Sequence, residues 1–267
     1  MLRNVFLKTL RDARQALLWW SLGLVGMTAV IVAIFPTVRD SPELNRLVED
    51  YPEALKAFIA FGGELDYSSG AGYLGMELFS LMVPLLLLIA AIGAGARAVA
   101  GEEEHGTLDL LLANPISRRR LALEKLAALA SELAVLALVL WVSLLVGVTA
   151  VGMDVSAARL GAATASAALL ALGFGAIALL VGAASGRRGL AIGVAAAGAV
   201  AAWLVDSLAA LVDALEPVRT ASPFYHYAAS DPLRHGLAPG HVGVLVLLCA
   251  TAAALAPLAL ERRDLRG

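Results

Sequence analysis

Residues 160–186 read LGAATASAALLALGFGAIALLVGAASG, twenty-seven residues with no charge and no proline. Hydrocarbon offers a backbone no hydrogen-bond partner, so such a run closes its own bonds as a helix, and about 20 residues cross a bilayer. Five similar runs accompany it: 17–35, 78–96 (broken only by Pro84), 133–153, 189–212 (interrupted by Asp206) and 242–260. Composition points the same way. Of 267 residues, 60% are hydrophobic and 16% charged, with a mean hydropathy of +0.82, whereas soluble domains carry about 25% charged residues. The expected fold is an all-α membrane protein with six transmembrane helices in one domain, 1–267. The remaining segments are loops and helix ends, too fragmented for a second folded domain.

Basic residues resist transfer across the membrane and so report orientation. An even number of spans puts both termini on one side. Fourteen lysines and arginines fall on that side, from Arg3 to Arg266, and six on the other. The N- and C-termini are therefore expected to be cytoplasmic. A net charge of −2 leaves no broad basic face for nucleic acid. The single cysteine, Cys249, lies in an apolar run and excludes a disulfide framework.

Outside the spans, 2–16 carries Leu2, Val5, Phe6, Leu10 and Ala13 at helical spacing among four basic residues. This predicts an amphipathic interfacial helix before the chain turns into the bilayer. The apolar run after it lacks a small-residue cleavage site and is read as a span, not a cleaved signal. Between spans one and two, Ser41-Pro42-Glu43 and Tyr51-Pro52 are helix starts, so a small helical cap is expected on the outer surface. Residues 213–240 mix proline, glycine and aromatics, which predicts a packed external segment with short helices.

The loop 97–125, RAVAGEEEHGTLDLLLANPISRRRLALEK, is the most informative. Glu102, Glu103 and Glu104 precede a short helix, where acids favour its positive end. Leu108, Leu111 and Leu112 form an i, i+3, i+4 stripe. An apolar stripe on a cytoplasmic loop calls for a partner surface.

Other chemistry is missing. No Gly-Lys pair occurs, so the chain carries no phosphate-cradling loop, and the four histidines lack H-E-x-x-H spacing. No metal site and no catalytic residue is expected. Gly182/Gly186 and Gly189/Gly193 are small-xxx-small spacings for close helix packing. Candidates for a pathway or gate are Pro84, a kink that frees a carbonyl, Asp206 near the outer mouth, and Phe224 with Tyr225 in the external segment.

Gly101-Glu102-Glu103-Glu104-His105-Gly106-Thr107-Leu108, continuing through Pro115-Ile116-Ser117-Arg118, resembles the loop after the second span of ABC-type-2 membrane permeases. Ser222-Pro223-Phe224-Tyr225, Asp231-Pro232-Leu233 and the tail from Glu261 to Leu265 are similar to later parts of that family. The resemblance implies a permease subunit, and so not an enzyme itself. It pairs with a second permease copy, as homo- or heterodimer, in the plasma (inner) membrane of a prokaryote. A separate ABC ATP-binding subunit would hold the ATP and Mg; this chain would need no cofactor. Glu102, Glu103, Glu104, Gly106, Thr107, Leu108, Leu111, Leu112, Pro115, Ser117 and Arg118 would form the coupling helix and its flanks. The apolar spans have no midplane charge, which favours an amphiphilic or lipid-like cargo. The alternatives are a secondary transporter or channel run by an ion gradient, which would show paired broken helices, and an intramembrane enzyme built on Ser185, which topology separates from the histidines.

Overall fold

The computed structural model describes residues 4–39, 67, 69–108, 111, 116–209 and 212–263. The expected external cap at 41–61, together with Leu112 and Pro115, lies outside the described residues. Six helices are long and apolar enough to span a bilayer, and among the described residues there is no strand. They are α1 (Val5–Arg39), a composite second span (Gly70–Glu104) that contains α2 (Gly70–Leu74) and α3 (Met82–Ala96), then α4 (Arg118–Val151), α5 (Ala157–Ser185), α6 (Arg188–Ala209) and, after the short α7 (Pro223–Ala228), α8 (Pro239–Arg262).

The second span and α5 form the centre. In their most apolar stretches 56% and 61% of residues are buried inside the protein, against 17–22% in the other four spans. The outward faces of those four carry large exposed hydrophobics such as Trp19, Val146 and Leu247, a surface only lipid or another apolar chain can cover. The central pair meets backbone to backbone. A Cβ on Gly95 would sit 2.0 Å from the Gly175 carbonyl oxygen, and one on Gly175 would sit 3.0 Å from the Ala91 carbonyl oxygen. Small residues permit this approach and gain the dispersion contact that lipid tails otherwise provide. Of the expected Gly182/Gly186 pair, Gly182 packs closely, since a Cβ there would come 3.3 Å from Ala100 Cβ, whereas Gly186 lies at the end of α5 beside the Arg263 and Glu103 side chains; a Cβ on Gly189 or Gly193 would meet nothing within 4 Å. The expected Gly189/Gly193 contact is thus replaced by Gly95/Gly175.

Helix ends follow local sequence. Ser117 and Ser156 cap α4 and α5 through side-chain oxygens that accept from Arg120 N and Arg159 N. Gly152 and Gly186 close the same helices in the left-handed conformation, at φ +69° and +67°.

One expectation is corrected. No turn separates an interfacial helix over 2–16 from a span beginning at 17; α1 is a single helix of 35 residues, about 52 Å long at ~1.5 Å per residue. Residues 5–22 contain no glycine or proline to break it. Its first turn is also held in line from outside: Glu124 Oε2 accepts from Val5 N at 2.7 Å and Phe6 N at 3.1 Å.

Candidate functional site

The second span does not end with its apolar run. A π-helical turn, Arg97–Gly101, leads into Glu102–Glu104, and Gly106 at φ +67° ends the segment with its N–H on the Glu103 carbonyl at 2.9 Å. Glu102 is the hub of this elbow. Lys125 Nζ donates to its Oε1 at 2.7 Å and Lys8 Nζ at 3.0 Å, while the Thr107 hydroxyl donates both to the Glu102 carboxylate and to its carbonyl. Lys125 is only 3% exposed, so its charge depends on this partner. One carboxylate therefore joins α1, the elbow and α4.

The next two acids reach elsewhere. Glu103 pairs with Arg263 beyond α8, and Arg263 also donates to the Ala183 carbonyl at 3.2 Å. Glu104 Oε1 accepts from Arg188 N at 2.9 Å, capping the start of α6. Arg118 closes the ring by donating to the carbonyls of Leu260 and Arg263. The two ends of the described chain and the elbow thus lie at one end of the bundle.

The leucine stripe behaves differently from its expectation as an open face. Leu108 and Leu111 are buried, 2% and 3% exposed, in a core with Val5, Val99, Leu121, Leu179 and Leu260. Leu111 N donates to the Thr107 carbonyl at 3.2 Å, so a helical turn starts there. An apolar stripe beside a bundle end buries against the nearest apolar side chains before any partner arrives. Glu104, His105, Gly106 and Ser117 face outward, whereas Glu102, Glu103, Thr107 and Arg118 are half-buried.

At the other end the gate candidates come together only in part. The helix of the second span breaks at Leu81 (φ −140°, ψ −46°), and Pro84 stands in the first turn of α3. The helical carbonyl that Pro84 leaves without a donor is that of Ser80; one residue earlier, at the same break, Phe79 O accepts from the Tyr227 hydroxyl at 2.6 Å. Burial pushes that hydroxyl above the ordinary range for tyrosine. Asp206, 4% exposed, accepts from Arg219 Nε at 3.0 Å. The Arg219 guanidinium also lies over the Tyr225 ring at 5.3 Å. Tyr225 meets His226 and His241 edge-on, and those two imidazoles share a nitrogen–nitrogen contact of 3.0 Å. Phe224 turns away, buried against Phe174. Residues 213–240 are accordingly packed, as expected, with the Ser222 hydroxyl donating to the Ala202 carbonyl at 2.7 Å.

Sequence reading missed Lys125, Arg263, Arg219 and Tyr227 as organising residues. For Lys125 a signal existed: the lysine sits between Ala122 and Leu129 on the apolar side of its helix, where an unpaired charge is rarely tolerated. The other three carry no periodic or spacing signal.

Four apolar helices around two closely packed central spans, with an acidic elbow pinned at the end that holds both described chain ends, define a multi-span membrane protein. The chain belongs to the ABC-2 family of transporter proteins: the family profile described as ABC-2 family transporter protein matches residues 3–265. No curated protein matches it. Family membership makes the chain the permease subunit of an ABC transporter and implies an ATP-binding partner.

Proposed function

We propose that this permease, paired with a second permease copy, exports an amphiphilic or lipid-like molecule. A separate ATP-binding subunit drives it by docking on the elbow, 102–118. In this reading the elbow is cytoplasmic, as are both termini, and the membrane is the inner membrane of a prokaryote. ATP and Mg belong to the partner; this chain supplies only the lever.

The observation that carries the reading is the division of labour within the elbow. Glu102, Glu103, Thr107, Leu108, Leu111 and Arg118 are held in contacts inside the bundle end, while Glu104, His105, Gly106 and Ser117, although Glu104 and Ser117 also cap α6 and α4, keep exposed surface. Leu112 and Pro115 complete the docking surface read from the sequence. A rigid protrusion tied at once to α1, α4 and α8 passes a push to three spans, because packed helices shift between discrete arrangements instead of yielding gradually. At the far end, Pro84, Asp206, Phe224 and Tyr225 belong to the gate that such a push would open.

The test is co-purification of the permease with its ATP-binding subunit. The double variant Glu104→Lys, His105→Glu alters only outward side chains. It should unfold slightly below the wild type, because the Glu104 cap on α6 is lost, yet lose the ATPase and the cargo-stimulated hydrolysis completely. A stoichiometric complex with that variant overturns the docking surface, and cargo flux in vesicles without nucleotide overturns the ATP-driven reading.

A further inference from the structure

Between α1, the end of the second span and α4 lies a chamber of about 430 Å³ whose charged wall is made by Lys8, Asp12, Arg97, Glu102, Lys125 and Glu132. Three cations face three carboxylates, so the wall is electrically balanced. Four of the six satisfy one another: Glu102 accepts from Lys125 and Lys8, and Lys8 Nζ also stands 3.3 Å from Asp12. Arg97 and Glu132 attract each other through space, and Lys125 also acts on Glu132. Among the described residues neither makes a direct hydrogen bond or a close ion pair; Arg97 is exposed and Glu132 is 9% exposed.

Both groups also line a second hollow, a nearly closed crevice of about 10 Å³ walled by Leu17, Trp20, Leu133 and Leu136. They therefore stand where a polar chamber gives way to an apolar slot. Glycines lie four residues before and after Arg97, and a Cβ on Gly93 would come 3.3 Å from its Nη1, one on Gly101 3.3 Å from its Cβ, so the guanidinium lies along a side-chain-free strip of its helix. Glu132 has cations near it but no direct bond to either, so its carboxylate keeps hydrogen-bonding capacity for a ligand.

We propose that this chamber binds the head group of a zwitterionic amphiphile, its anionic group on Arg97 and its ammonium on Glu132. The inference rests on the export reading and specifies the chemical class of the cargo's head. A ligand of net charge would unbalance a wall that is already neutral. A dipolar one gives Arg97 and Glu132 each a direct partner and leaves the net charge unchanged. The apolar slot beyond them, about 10 Å³ in the structure, has to open for the tail to enter.

The test uses the purified full-length chain in maltoside detergent, titrated with dihexanoyl phosphatidylethanolamine, its tail-free counterpart glycerophosphoethanolamine, and the anionic dihexanoyl phosphatidylglycerol. Trp20, left as the only tryptophan, reports occupancy by fluorescence and unfolding temperature reports stabilisation. The phosphatidylethanolamine should bind saturably and raise the unfolding temperature. Arg97→Gln and Glu132→Gln should each weaken it about tenfold or more, the cost of one charge-assisted hydrogen bond. Ala13→Phe, which fills the chamber with every charge in place, should abolish binding and covers the case in which a charge variant fails to fold. Comparable binding of glycerophosphoethanolamine supports a soluble zwitterion as the source of the head group, and binding only with tails supports a lipid. Equal binding of phosphatidylglycerol, or unchanged binding in all three variants, overturns the site. ATPase co-purification is scored on the same preparations. A complex that forms without zwitterion binding refutes the chamber and spares the docking reading; the reverse result refutes docking and spares the chamber.

Discussion

The two ends of the bundle are held by different chemistry. At the elbow end, residues far apart in the chain are joined by charge: Lys8 and Lys125 on Glu102, Arg263 on Glu103, and the Glu104 carboxylate on the start of α6. At the other end hydroxyls and aromatic rings do the joining. Tyr227 donates to Phe79 O, Ser222 to Ala202 O and Tyr73 to Ile31 O, with Asp206–Arg219 as the buried ion pair. Neutral hydrogen bonds to carbonyls are short-ranged and cost little to desolvate. A shared carboxylate between two lysines is stronger and longer-ranged, but it fails badly once a member is removed. The elbow end is thereby tied by shared charges, and the far end by separate neutral contacts, which suits the proposed lever and gate.

The largest expected effect comes from Glu102→Gln, which strands Lys125 in the interior. It should cost about 3–5 kcal/mol, read from unfolding in detergent. Replacing both partners, Glu102→Leu with Lys125→Met, should recover most of that loss; a single variant with wild-type stability would break the contrast between the two ends. Next is Gly95→Ala, whose new methyl would collide with the Gly175 backbone and force the central spans apart, costing about 1–3 kcal/mol or more. Gly193→Ala, with nothing nearby, serves as its neutral control. Tyr227→Phe leaves the Phe79 carbonyl without its donor and should cost about 1–3 kcal/mol. Its thermal midpoint should fall with little dependence on salt, as suits a neutral bond. Smallest is Glu104→Ala, an exposed cap on α6 worth about 0.3–1 kcal/mol. That loss should shrink as salt is raised, and a salt-independent loss would show that the carboxylate does not act as a charge there.

Much of the architecture was legible because each span is its own argument. The runs 133–153 and 160–186 announce helices by length and apolarity. The serines and glycines at 117, 152, 156 and 186 cap them by local rules that the sequence reading passed over, taking Gly186 as a packing glycine. Pro84 marked the break in the second span, but not the bond that Tyr227 makes there. The candidate site was legible as a place but not as an arrangement. Glu102, Glu103 and Glu104 are adjacent in sequence, yet each reaches a different helix, and a helix-cap rule treats the three alike. Leu108 and Leu111 were correctly read as one face, but which apolar surface covers that face depends on Val5 and Leu260, more than a hundred residues away on either side. The missing turn near residue 16 has the same origin: amphipathic periodicity cannot distinguish a helix lying on a membrane from one continued inward, and a carboxylate on α4 made the choice.

Length and apolarity dictate that the chain crosses a membrane six times, since an unpaired backbone in hydrocarbon has no alternative to a helix. Charge bias, caps and glycines add the ends of those helices for equally local reasons. Which spans are central, which glycines touch, which lysine shares Glu102 and which charges line the chamber beside it follow from packing, because a pairing between distant segments leaves no mark on either segment read by itself.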